Sequence, residues 1–263
     1  MQRITSRQNG IIAQYRAVAR GSTDDTLLLD GVHMVSEAID AGLHFRHVMI
    51  AADALGHAEI VRILAGLDQR TVDVATAPAP VMDAVSPVRS SSSIVALAMR
   101  PSQRRSPLDG PAALVIVVCD VQDPGNVGAI IRVAEGAGAS GVILAGQSAD
   151  PFGWKALRGS MGSALRLPIL SVPTVHDAVL ELRRGGAQVI ATVPRHGASL
   201  FETRLTGPSG VLIGGEGLGL SDAVVADADA RVTIPMEAPV ESLNAAVTAA
   251  VILYEARRQR MGA

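Results

Sequence analysis

Three short stretches carry the residues whose types and spacing could do chemistry, and all three lie after residue 119. The first runs Asp120-Val121-Gln122-Asp123-Pro124-Gly125-Asn126-Val127-Gly128 and on to Arg132. Asp before Pro caps and starts a helix, so Asn126 falls in the first turn, where free backbone N–H groups favour an anion. Arg132 presents a planar fork of donors suited to a phosphate or an oxyanion, and Gly128, one turn earlier, leaves space beside it. The competing reading is a capped, solvent-facing helix with Arg132 paired to Glu135 at i+3.

The second stretch, Gly214-Gly215-Glu216-Gly217-Leu218-Gly219, follows the strand-like Val211-Leu212-Ile213 and holds four glycines within six residues. Glycine permits positive φ and close backbone approach to a ligand. The spacing is not that of a dinucleotide fingerprint, and no G-K-[ST] follows. Glu216 would repel a polyphosphate and tolerate a cationic ligand. The third stretch is Ile234-Pro235-Met236, then Ser242-Leu243-Asn244, leading into a helix over 243–260. Ser242 is the expected N-cap. Leu243, Val247, Val251 and Tyr254 form an expected apolar stripe, and Ala245, Ala246, Ala249 and Ala250 a small-residue face that allows close packing.

Other chemistries lack their residues. The six histidines show no metal spacing, no metal is expected, and neither G-x-S-x-G nor H-E-x-x-H occurs. Cys119 is the single cysteine, which excludes an intrachain disulfide and a cysteine-rich zinc site. The first residues lack the apolar core of a signal peptide, and the longest apolar runs fall short of a membrane span. A soluble, cytoplasmic protein is expected.

The elements that must position these stretches follow from patterning. The run 114–119 is apolar and mostly β-branched, as in a strand buried on both faces. Further strands are predicted at 141–144, 187–192, 210–213 and 231–234, and helices at 125–138, 174–184 and 243–260. This is a parallel α/β sheet with helices on both faces, whose ligands collect at the carboxyl ends of the strands. The first hundred residues predict a smaller α/β unit, with helices at 8–20, 32–41, 58–67 and 81–85 and strands at 27–29, 48–50, 71–75 and 94–99. Three prolines and three arginines between Met99 and Pro111 mark a linker. The expected domains are 1–99 and 112–263, joined by 100–111.

Hydrophobic residues make up 48% of the 263 residues and charged ones 18%, enough to bury a sizeable core. A net charge of −2 excludes a bulk basic coat for indiscriminate nucleic-acid binding. The N-terminal 23 residues nevertheless carry Arg3, Arg7, Arg16 and Arg20 and no acid.

Taken in order, N-x-G-x-x-x-R (126–132), G-G-E-G-x-G (214–219) and I-P-M-x(5)-S-L-N (234–244), before an alanine-rich helix with Tyr254-Glu255, resemble the SpoU (TrmH-type) RNA ribose 2′-O-methyltransferases of the SPOUT superfamily. Gly31-Val32-His33-Met34-Val35-Ser36-Glu37-Ala38 is similar to the ribosomal-protein-like substrate-binding domain that often precedes them. The resemblance implies a trefoil knot, S-adenosyl-L-methionine as cofactor and a homodimer. It also implies an RNA substrate, with ribosomal RNA favoured over tRNA. Gly214, Gly215, Gly217, Ile234, Met236, Leu243 and Thr192 fall to the cofactor. Asn126, Arg132, Glu216, Ser242 and Asn244 fall on the family's polar catalytic positions. RNA contacts are expected at Arg3, Arg7, Arg16 and Arg20. Ala238 stands where the family usually has glycine, and Ala245-Ala246 replaces the usual pair after the asparagine. The competing classes are a Rossmann-type nucleotide or NAD(P) enzyme and a non-catalytic RNA-binding module.

Overall fold

In the computed structural model, the apolar run Leu114–Cys119 is a strand with all six residues buried, as a central position in a two-sided sheet requires. The structure describes residues 1–262 apart from 24, 69–71, 89–90 and 103–104. Thr71, expected to open a strand, and positions 103 and 104 of the expected linker lie outside the described residues. In chain order the elements are β1 (Gln2–Arg3), α1 (Gly10–Ala19), β2 (Thr26–Asp30), α2 (Val32–Asp40), β3 (Phe45–Ala51), α3 (Ala58–Asp68), β4 (Asp73–Ala77), α4 (Ala79–Val85) and β5 (Ile94–Met99). There follow β6 (Leu114–Cys119), α5 (Pro124–Ala137), β7 (Gly141–Ala145), α6 (Trp154–Ser160), β8 (Ile169–Val172), α7 (Val175–Arg184), β9 (Gln188–Thr192), β10 (Ala198–Ser199), β11 (Ser209–Gly214), α8 (Asp222–Asp227), β12 (Ala230–Thr233) and α9 (Ala245–Met261).

The chain divides into two units, Met1–Ser102 with Phe152–Leu165, and Gln103–Pro151 with Arg166–Ala263. The first holds a mixed sheet in the order β1-β4-β3-β5-β2, with β5 antiparallel to both β3 and β2. Ile12 and Tyr15 of α1 and Met82 and Val85 of α4 pack on Leu28, Met49 and Val95 of that sheet. Trp154 of α6 packs against the same core. The sequence assigns 152–165 to the second domain and reads no element there. The structure groups it with the first unit, where α6 packs on β2 and Arg100 lies over the Phe152 ring.

The second unit is a seven-stranded sheet in the order β10-β12-β9-β11-β6-β7-β8, with every pairing parallel. β8, β10 and α8 are not in the sequence expectation. β8 and β10 are edge strands, short and only partly buried, so they lack the apolar run that reveals β6. Asp123 caps α5 by accepting from the Asn126 N–H at 2.8 Å, and Gly138 closes the helix at φ 78°. Val127, Ile131 and Ala134 are buried, as their spacing predicts. Gly128 is buried as well.

α9 corrects the sequence in two ways. Its N-cap is Asn244, whose Oδ1 accepts from the N–H groups of Ala246 and Val247, and the helix starts at Ala245 with Ser242 outside it. Its buried residues are Ala245, Ala249, Ile252, Leu253, Glu255 and Ala256, and it packs on α5. The expected stripe points elsewhere: Val247 is 47% and Tyr254 54% exposed. No helix among the described residues is long and apolar enough to cross a membrane.

Candidate active site

Because β6, β9, β11 and β12 run parallel, their carboxyl ends fall on one edge of the sheet, where ligands of open α/β sheets bind. The register aligns Gly214 with Cys119 and Thr192 with Val232. The turns that follow these strands therefore gather at one place, and those after β6, β11 and β12 lead into the first, second and third chemistry-bearing stretches.

The glycines of the second stretch have a steric cause. Gly215 bridges to Gly219 across a tight hairpin, and Gly217 and Gly219 hold φ values of 122° and 65°. A Cβ on Gly214 would lie 2.5 Å from the carbonyl carbon of Gly219, and one on Gly215 would collide with the Asp120 carbonyl oxygen. Backbone, rather than side chains, thus forms this wall of a cleft of about 470 Å³. That volume falls in the range of small-molecule sites, about 300–1,000 Å³. Thr192, Gly214, Gly215, Gly217, Ile234, Met236 and Leu243 all line the cleft, together with Glu216, Ser242 and Asn244. Val193, Pro194 and Thr248 line it too and are missing from the sequence expectation. The signal available for the first two was their place directly after β9. The Thr192 hydroxyl donates to the Leu212 carbonyl at 2.8 Å, tying β9 to β11 at the cleft. Arg195 and Glu241 pair at 2.8 Å, joining the turn after β9 to the loop after β12.

A directional chain of side chains links the three stretches. Asn244 Nδ2 donates to Asn126 Oδ1 at 3.0 Å, and Asn126 Nδ2 donates to Glu216 Oε1 at 2.5 Å. Each amide is oriented by its partners: Asn244 spends its oxygen on the cap of α9, which leaves its nitrogen to donate. Glu216 terminates the chain as acceptor. The Asn126 N–H is taken by Asp123, so it is not free for an anion as the sequence predicts.

Arg132 stands exposed on α5 and is not among the residues lining the cleft. Its expected alternative partner, Glu135, is held instead by Arg166 in a bidentate pair at 2.8 Å and 2.8 Å. Arg132 has no hydrogen-bond or ion-pair partner among the described residues. Cys119 is buried, and burial and the neighbouring Asp120 carboxylate push its thiol far up, so no thiolate nucleophile forms there at neutral pH. In the first unit Arg3, Arg7, Arg16 and Arg20 are all exposed. Arg7 and Arg16 each spend Nε on a carbonyl of α4, Pro80 at 2.7 Å and Ala84 at 3.1 Å.

The fold is that of RNA methyltransferases that use S-adenosyl-L-methionine. The structure of the S-adenosylmethionine-bound rRNA methyltransferase from Sinorhizobium meliloti matches with a TM-score of 0.85 at 28% identity, covering 98% of this chain and 97% of that one. The SpoU rRNA Methylase family model matches residues 113–254, and the chain belongs to that family. A 23S rRNA (uridine(2479)-2′-O)-methyltransferase of Streptomyces viridochromogenes is 34% identical, over 99% of this chain and 93% of its own length. An uncharacterized tRNA/rRNA methyltransferase of Synechocystis is also 34% identical, over 99% of this chain and 95% of its own.

Proposed function

We propose that the chain methylates a ribose 2′ oxygen of 23S ribosomal RNA, with residues 1–99 as the RNA-binding part and 112–263 as the methyltransferase part. Relatives named for ribosomal RNA match along nearly the whole chain, which favours ribosomal RNA over tRNA. The observation that carries the reading is the Asn244–Asn126–Glu216 chain set at a cleft lined by every residue expected to hold the cofactor.

The residues present fit S-adenosyl-L-methionine. Ile234, Met236 and Leu243 supply apolar walls, the glycine hairpin supplies backbone donors and acceptors, and among the described residues no basic side chain lines the cleft to repel a cation. The bound cofactor supplies a methyl group activated on a sulfonium. The chain's own task is then alignment, since a correctly placed 2′ oxygen needs little further help. Asn126, Glu216, Ser242 and Asn244 hold the reacting ribose. Arg132 anchors the adjacent phosphate and stabilises the alkoxide that develops as the 2′ hydroxyl loses its proton to phosphate or water. A guanidinium stays charged at neutral pH, so Arg132 is not itself the base.

The same reading includes a homodimer, a cytoplasmic setting and a knot formed by the loop after β12. The exposed side of α9, with Val247 and Tyr254, supports the dimer better than the small-residue face, because Ala245 and Ala249 are already buried within the chain. Calorimetric titration with S-adenosyl-L-methionine, NAD and ATP tests the cleft: heat with the first alone is expected, and binding of NAD or ATP in its place would overturn the reading.

A further inference from the structure

We propose that Asp120 is a positioning residue for this methyl transfer: its left-handed backbone and its carboxylate fix the turn after β6 so that Asn126 meets Glu216. The inference rests on the functional reading above, and it gives a role to the residue at the head of the first stretch, which that reading leaves without one.

Asp120 has φ 56°, a conformation that side chains other than Asn and Asp rarely adopt. Such outliers persist only where their surroundings hold them, and they gather at functional sites. Here the hold is visible. The Asp120 N–H donates to the Ala145 carbonyl at 3.2 Å, and Oδ1 accepts from the Gln147 N–H at 2.7 Å, so one residue grips the turn after β7 from both its backbone and its side chain. A Cβ on Gly146 would collide with that carboxylate. On its other side, the Asp120 carbonyl oxygen lies so close to Gly215 that only glycine fits there.

Gly215 is followed directly by Glu216, and Asp120 is three residues before Asp123, which fixes the Asn126 N–H. The segment 120–126 is thus clamped at its start by Asp120 and at its end by Asp123. The start is seated against the very hairpin that carries Glu216. The 2.5 Å contact between Asn126 and Glu216 depends on that seating. The neighbouring Val121 is tied to the same turn after β7, its N–H donating to Ser148 Oγ at 3.2 Å and its carbonyl accepting from the Ala149 N–H at 2.9 Å, and Asp120 adds the seat against Gly215. Asp120 itself is exposed, and β6 is already secured by full ladders to β11 and β7.

Two variants separate the carboxylate from the backbone. Asp120→Asn keeps an acceptor at Oδ1 and a residue type that tolerates positive φ. Asp120→Gly accepts the φ without strain and removes the acceptor. Both are read by steady-state methyl transfer to 23S rRNA and by the NMR signal of the Asn126 side-chain amide. Displacing a reacting group by about 1 Å costs rate steeply, so Asp120→Gly should lose about tenfold or more in kcat, with KM for RNA within about threefold. Its Asn126 amide signal should move to the position of a free, exposed asparagine, and Asp120→Asn should restore both readouts. Wild-type kcat and an unmoved Asn126 signal in Asp120→Gly would overturn the inference. If the wild-type chain transfers no methyl group to RNA, the functional reading fails, and the Asn126 signal alone then decides the role of Asp120.

Discussion

Arg132 owes its freedom to Arg166, which reaches across 31 residues of sequence to take both oxygens of Glu135. That competition leaves a guanidinium on α5 with all its donors available for substrate. Arg132→Ala should therefore lower single-turnover methyl transfer by about a hundredfold, the scale of removing one stabilising donor from a developing oxyanion. Binding of S-adenosyl-L-methionine should be unchanged by calorimetry. Arg132→Lys should recover little, since a point charge does not reproduce the fork. The hairpin gives a second prediction. Gly214→Ala must push its Cβ against the Gly219 carbonyl carbon, a distortion of ~1–3 kcal/mol, and should abolish calorimetric cofactor binding while the chain stays folded. At this scale the residue types in the site were legible, because glycine spacing and polar identity are written locally. The pairing of Glu135 was not, because it depends on a residue that only the folded sheet brings near.

The last helix shows the same division among elements. Asn244 both caps α9 and donates to Asn126, so the start of the helix and the polar chain of the site are one structure. Ser242 and Asn244 are equally good caps by residue type, and only the contact with Asn126 selects between them. Likewise the 243–254 stripe and the alanine face are both plausible buried surfaces in sequence. α5 selects the alanines because a small face allows the closer approach. The unselected side should bind a second copy: Val247→Arg combined with Tyr254→Arg should shift sedimentation from dimer to monomer, and a monomeric wild type at micromolar concentration would contradict this. Within α9, Glu255 is held down to about 2 by hydrogen bonds from Arg258 first and Gln259 second, and by the Arg258 charge. A folded pKa below the ordinary 4.5 adds stability above that value, and the contribution is lost as pH falls from 4.5 toward 2. The Tm of the wild type should drop more over that window than that of Glu255→Gln, and parallel curves would sink the assignment.

For the molecule as a whole, the alternation of strand and helix announced an α/β fold, and the apolar run of β6 announced its centre. The allegiance of residues 152–165 was not announced, since it rests on contacts the fold alone creates, among them Trp154 on the first unit's core and Arg100 over the Phe152 ring. With a net charge of −2, the proposed RNA binding calls for local charge, and the acid-free N-terminus with its four arginines offers it. Neutralising Arg3 and Arg20 together should flatten the salt dependence of RNA binding by about two in log–log slope, about one per charge, without changing Tm. Arg7→Gln and Arg16→Gln should also lower Tm, because each of these side chains braces α4. Filter binding across a salt series with thermal melts separates the two pairs.

The central claim is methyl transfer to a sugar oxygen, and it can be read directly. The purified chain is incubated with unmethylated 23S rRNA and S-adenosyl-L-methionine labelled in its methyl group, and the RNA is digested to nucleosides for mass spectrometry. The label should appear in a 2′-O-methylnucleoside, and its rate of appearance should fall about a hundredfold with Arg132→Ala. Label on a base, or unlabelled RNA from a chain that binds the cofactor, would contradict the account.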